Sequence, residues 1–276
     1  GVMAEYFGWR WAFAGMAVFG LILAFLYPVI VKETKIGKTC RQLRAEQKHD
    51  KSTNPLRSIY SSRSVIATYI GSGLQLFVGG TVIVWFPSYL NRYYGMSTDK
   101  AGLIAALIVL SSAVGTILCG MLCDRLGRDR PVRKVTLAIA FCLIGCVLLS
   151  IAFAMPAGNS QLLMICLGMF IALGTNGPSS AMVANLTHNS VHSTAFATLT
   201  LANNFLGLAL GPLVVGKVSD LIGLDSAFQL MPLMSIAAAA VFFYAKKHYV
   251  RDVARFNAQA IPLNIQHNPA LDTDDK

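Results

Sequence analysis

The chain has 276 residues, 55% of them hydrophobic and 13% charged, with a net charge of +10. That is too much apolar surface for one water-soluble core, so part of its solvent must be lipid. Its basic residues sit in gaps between apolar runs rather than on an aromatic-interleaved stripe, which argues against a nucleic-acid partner and for a membrane surface.

Seven apolar stretches follow in chain order: 11–31, 65–90, 101–122, 135–155, 162–183, 195–215 and 226–245. Each is long enough, at about 1.5 Å per residue, to cross a hydrocarbon layer roughly 30 Å thick. The expected fold class is therefore all-α, a polytopic membrane protein with the lipid bilayer as its first partner. The first stretch does not read as a signal peptide, because residues 1–10 lack a charged segment starting at Met and no small-residue cleavage site follows. None of the cysteines (Cys40, Cys119, Cys123, Cys142, Cys146, Cys166) forms a C-x-x-C pair or has nearby His or carboxylate ligands, so neither a metal site nor a cofactor is expected.

Orientation follows from Lys and Arg. If residue 31 exits to the cytoplasm, 19 of the 23 basic residues lie inside and only Arg10, Arg92, Lys100 and Lys217 lie outside. Residues 32–64 then form a basic cytoplasmic linker near anionic headgroups. Residues 250–276 start basic, end with Asp272, Asp274 and Asp275, and are expected to form a disordered cytoplasmic tail. The plasma (inner) membrane suits this arrangement.

An internal repeat with a shift of 215 aligns Gly1, Glu5, Gly8, Ala12 and Phe13 with Gly216, Asp220, Gly223, Ala227 and Phe228. Both copies open an apolar helix, so the first helix corresponds to the last. Five helices separate the linker from that last one, and symmetry predicts five more upstream of Gly1. On this reading residues 1–31 end one bundle as its sixth helix, and 65–249 form a second bundle of six. The chain is then the last seven of twelve helices.

Residues 120–130 read G-M-L-C-D-R-L-G-R-D-R, where an uncharged run meets abrupt charge. Asp124, at a helix end near Arg125 and Arg128, can form charge-assisted hydrogen bonds, and Gly127 is expected to permit the chain reversal before 135. Two six-helix halves, a basic central linker and this hairpin together resemble the major facilitator superfamily, whose signature loop is matched by Gly120, Leu122, Asp124, Arg125, Gly127 and Arg128. Asp129 departs from it, since the family places a basic residue there. Residues 203–220 look like the spinster-like transporters, while Trp85-Phe86-Pro87-Ser88-Tyr89-Leu90 also fits the aromatic-acid symporters. The resemblance implies a secondary transporter working by alternating access, with the hairpin (Gly120, Asp124, Arg125, Gly127, Arg128) as a conformational latch against the other half.

No Asp, Glu, Lys or Arg lies inside the seven stretches, so any ion-coupling group, as for symport, is expected in the N-terminal half. Neutral polar residues on shared helix faces remain as candidates for a substrate path. They are Ser72 and Gln75, Asn176 on the helix that Pro178 disturbs, and Asn203 with Asn204. Each can equally serve as interhelical glue. Trp9, Trp11, Tyr93 and Tyr94 are expected as interface anchors, and His188 and His192 as helix caps or pH sensors. The function expected is transport of a small organic solute, organic anion or amphiphile. A receptor or scaffold with transporter architecture is the alternative, and an enzyme is not expected.

Overall fold

The computed structural model describes residues 8–30, 62–128, 131–187 and 191–260. Most of the basic linker, Cys40, Asp129, Arg130, His188 and the acidic end of the tail lie outside the described residues. Among the described residues every regular element is helical.

The elements are α1 (Trp9–Ile30), α2 (Arg63–Tyr94), α3 (Thr98–Leu126), α4 (Val132–Ala154), α5 (Asn159–Ala172), α6 (Asn176–Leu186), α7 (His192–Ala202), α8 (Leu210–Ile222), α9 (Leu224–Leu230) and α10 (Met234–Ala260). Local chemistry sets several ends. Ser62 caps α2 by accepting from the Val65 N–H at 3.2 Å. Gly95, at φ 60, ends the same helix in the left-handed conformation. Asp99 lies in the first turn of α3, where its charge complements the helix dipole.

Three of the crossings are composite. A 3-10 turn at Leu173–Thr175 joins α5 to α6, a π segment at Asn203–Ala209 joins α7 to α8, and a 3-10 turn at Met231–Leu233 joins α9 to α10. Counted as continuous helices, six are long and apolar enough to span a membrane: Arg63–Tyr94, Thr98–Leu126, Val132–Ala154, Asn159–Leu186, His192–Ile222 and Leu224–Arg255. The expected seventh, in α1, has a shorter apolar stretch, Phe13–Tyr27. The last helix runs to Ala260, past residue 249, where the sequence reading ends the bundle.

These six pack as one bundle. α10 lies along α2 and α4, while α5 and its 3-10 turn sit against both α3 and α4. Lipid offers no hydrophobic drive between helices, so close backbone approach and dispersion must hold the bundle. Small residues provide that approach: any side chain at Gly115 would collide with the Phe170 carbonyl, and one at Gly211 with the Phe77 carbonyl. One apolar cluster centres on Phe86, Tyr89, Phe153, Phe228 and Met169, and a second on Tyr69, Cys142, Met182, Phe242 and Tyr249.

Apolar side chains are exposed on several helices, Val147 of α4, Leu163 of α5 and Phe243 of α10 among them. α3 exposes Leu103, Leu110 and Ile117, seven residues apart and hence on one face, and the α7–α8 crossing exposes Leu201, Phe205 and Leu213. α1 is exposed along its length, with Phe13 71% and Phe25 77% accessible.

Candidate functional site

Pro178 has no N–H to offer Gly174, and the disturbance appears one turn earlier, as the 3-10 turn. There the Asn176 N–H bonds to the Leu173 carbonyl instead of reaching Ala172. The released Ala172 carbonyl accepts from Gln75 Nε2 at 3.3 Å and from Thr175 Oγ1 at 3.0 Å. Thr116 Oγ1 donates to the Leu173 carbonyl at 3.2 Å. A kinked helix has thus had its freed backbone satisfied by polar side chains of α2 and α3, as membrane burial requires.

Gln75 is buried, and its other amide atom, Oε1, has no hydrogen-bond partner. The Asn203 Oδ1 is likewise buried and unpartnered. Leaving such an acceptor unsatisfied costs about 1–3 kcal/mol, which a ligand's donor can recover. Ser72 is buried one turn from Gln75, Asn176 is half-buried, and Asn204 is exposed rather than buried as expected of a buried amide.

Two helix irregularities approach one stretch of α2. On one side, Gly79 admits Leu173 of the 3-10 turn, whose Cδ2 would lie 2.5 Å from an added Cβ. On the other, Gly73 meets Leu206 and the Ala202 carbonyl, and Leu76 meets Gly207 of the π segment. Residues 72–80 of α2 therefore stand between two helix irregularities. The π segment had no sequence signal, because its extra residue leaves the apolar pattern intact; π segments recur at functional sites.

The hairpin is arranged differently from its sequence rationale. Asp124, Arg125 and Arg128 are exposed, and among the described residues none of them makes an ion pair. Gly127 has φ −90 and ψ 0, which other residues adopt. What crowds a side chain there is the stem of Lys134, whose Cγ would lie 2.5 Å from an added Cβ, together with the Cys123 carbonyl at 2.7 Å. Arg133 Nη1 reaches the Leu126 carbonyl at 3.4 Å, and Gly120 lies against Gly177 of α6. Nearby, His192 Nε2 lies 3.0 Å from the Ala184 carbonyl and 2.9 Å from that of Thr187, a helix-capping position.

Sequence reasoning missed a network at the opposite end. Tyr89 Oη accepts from Gln161 Nε2 at 3.1 Å and donates to Asp225 Oδ1 at 3.3 Å. Tyr94 bonds Gln161 Oε1 and accepts from the Gly158 N–H at 3.1 Å, while Tyr93 Oη accepts from the Asp225 N–H at 2.9 Å. Tyr93 and Tyr94, expected as interface anchors, thus tie the end of α2 to two interhelical connections.

Comparison with known proteins agrees with this architecture. The family model of the Major Facilitator Superfamily matches residues 1–205. An MFS-type efflux pump of Mycolicibacterium smegmatis is 26% identical over 264 residues, covering 92% of this chain and 60% of the relative. A putative glycerol-3-phosphate transporter 4 of Arabidopsis thaliana is 31% identical over 201 residues, covering 68% and 36%. The D-galactonate transporter of Escherichia coli is 22% identical over 261 residues, covering 85% and 59%. Among solved structures, a bacterial homolog of the human lysosomal transporter Spinster, inward-facing and occupied, superposes with a TM-score of 0.67 at 18% identity, covering 72% of this chain and 52% of that one. That likeness speaks for the fold alone. The chain spans between about a third and three fifths of the length of these curated relatives.

Proposed function

The chain belongs to the Major Facilitator Superfamily, a family of transporters rather than enzymes, and we propose that it supplies the second half of a secondary transporter that works by alternating access. The observation that carries this reading is the meeting of two irregular helices on residues 72–80 of α2, with the buried Gln75 Oε1 unpartnered on that stretch and the Asn203 Oδ1 unpartnered in the π segment. Interrupted helices near the bilayer midplane are where transporters of this kind hold their solutes.

The cargo is a small hydroxylated organic anion or an amphiphile. Gln75 Oε1 and Asn203 Oδ1 are acceptors and suit hydroxyl donors, in keeping with relatives named for glycerol 3-phosphate and D-galactonate. A carboxylate or phosphate also needs a cation, and the described spans bury none at their centres. That counter-charge, together with any ion-coupling group for symport, belongs to five helices preceding this chain. Those helices also cover α1 and the exposed faces of α3 and α7–α8. The hairpin, the linker and the C-terminus face the cytoplasm, in the plasma (inner) membrane, where positive residues concentrate. There Asp124, Arg125 and Arg128 dock on the other half and part during the cycle; the spinster-like subgroup is the best fit.

The test is uptake by proteoliposomes containing the full-length transporter. Asp124→Asn is expected to lower turnover by about tenfold or more, the scale of a lost charge-assisted bond, with half-saturation unchanged. An unchanged rate would reduce the hairpin to a topology signal. Ligand binding without uptake by the unaltered protein would favour a receptor.

A further inference from the structure

We propose that the seam between α2 and α10 binds an anionic phospholipid, with one acyl chain in an apolar groove and the headgroup phosphate on Arg63 and Arg251. The groove has a volume of about 490 Å³ and runs from Arg63 along Ile66, Ala67 and Ile70 of α2, facing Ala240, Val241 and Tyr244 of α10. Its walls carry almost no polar atoms, and its length along α2 is about 10 Å, a fraction of one leaflet.

Packing explains why the groove is there. The Phe242 ring turns inward onto Gly71, where an added Cβ would sit 3.1 Å from it, and this draws the two helices together. On the outward side Ala67, Ala240 and Val241 line the seam, between the larger Ile66, Ile70 and Tyr244. A methyl-lined trough flanked by branched and aromatic side chains is left open to lipid.

Polar contacts fix what stands at its mouth. Asp252 Oδ2 accepts from both the Ser64 N–H at 3.1 Å and the Ser64 hydroxyl at 2.6 Å. This bond sets the register of α2 against α10, so the neighbouring Arg63 and Arg251 lie level with each other. Both are exposed, and no acid pairs with either guanidinium among the described residues, because Asp252 is turned to Ser64. Tyr244, His248, Arg251 and Arg255 recur at helical spacing on one face of α10, and the Tyr244 and His248 rings lie in tilted contact with centroids 4.7 Å apart. An aromatic ring under a pair of arginines is the arrangement expected at headgroup depth. Guanidinium groups favour phosphate geometry, and two guanidinium groups outweigh the single inward-turned Asp252 carboxylate, which favours an anionic headgroup over a zwitterionic one.

The experiment uses the 276-residue chain in detergent, titrated with dioleoylphosphatidylglycerol or dioleoylphosphatidylcholine, with bound lipid counted by native mass spectrometry. Phosphatidylglycerol is expected to bind more tightly, by about fivefold for each arginine. Arg63→Gln should remove about one such factor, and Arg63→Gln with Arg251→Gln should bring the anionic lipid down to the level of phosphatidylcholine. Ala240→Phe fills the groove with both arginines intact and should lower binding of both lipids. Unchanged melting temperatures in lipid-free detergent show that these exposed substitutions leave the bundle folded. Equal binding of the two lipids, or unaltered binding in the double variant, would overturn the site. So would competition by glycerol phosphate, which lacks acyl chains, or a gain in lipid binding on removing residues 261–276, which would mean that the acidic tail fills the groove. Because the readout is binding in detergent, its result is separate from whether the full-length protein transports.

Discussion

Gly120 and Gly177 form an asymmetric pair. A methyl on Gly120 would meet nothing within 4 Å, whereas one on Gly177 would lie 2.9 Å from the Gly120 Cα. Gly177→Ala is therefore expected to destabilise the bundle by about 1–3 kcal/mol, and Gly120→Ala to leave its stability unchanged, as read by thermal unfolding in detergent. Equal effects would show that the contact is not as tight as the geometry has it. The sequence made Gly120 legible as part of a motif but said nothing of Gly177, since the contact joins helices 57 positions apart. Tyr93 and Tyr94 are a similar case. Their place near a helix end was readable, but their partners Asp225 and Gly158 are 132 and 64 residues away, and no local pattern encodes such pairs. Gln75 was legible as polar in an apolar run; its bond to Ala172 depends on a backbone carbonyl freed by distant Pro178.

At the level of elements, length and hydropathy sufficed to find six spans, because a bilayer imposes a fixed minimum on both. The π segment left no such trace. It carries one extra residue in the helix, and the contacts beyond it depend on the phase of α8: Gly211 against Phe77, Gly216 against Trp85, and Trp85 Nε1 donating to the Pro212 carbonyl at 2.9 Å. Phe205 lies in the segment and is 63% exposed, so little packing is lost with its side chain. Deleting it should restore a plain α-helix and keep the phase of α8, because a π segment absorbs one residue locally. The expected result is unchanged helical circular dichroism with stability within about 1 kcal/mol. A loss of about 3 kcal/mol or more would mean that the segment does more than absorb one residue.

For the molecule as a whole, α1 stands outside the bundle that the other helices make. Removing residues 1–61 is expected to change the unfolding free energy of the remainder by no more than about 0.5 kcal/mol in detergent, the scale of surface changes. A larger loss would place α1 against the bundle. The six-helix bundle was legible from the spacing of the apolar runs, whereas the seam between α2 and α10 was not, since it joins the two ends of that bundle. That seam has a consequence for biosynthesis. Ser64 and Asp252 are 188 residues apart, yet they are bonded to each other. At ribosomal rates of roughly 5–20 residues per second, α2 waits about 10–40 s for its neighbour to emerge. During that interval Gly71 and the Ser64 hydroxyl face lipid or an insertion chaperone, and the bundle closes only when its final helix leaves the ribosome.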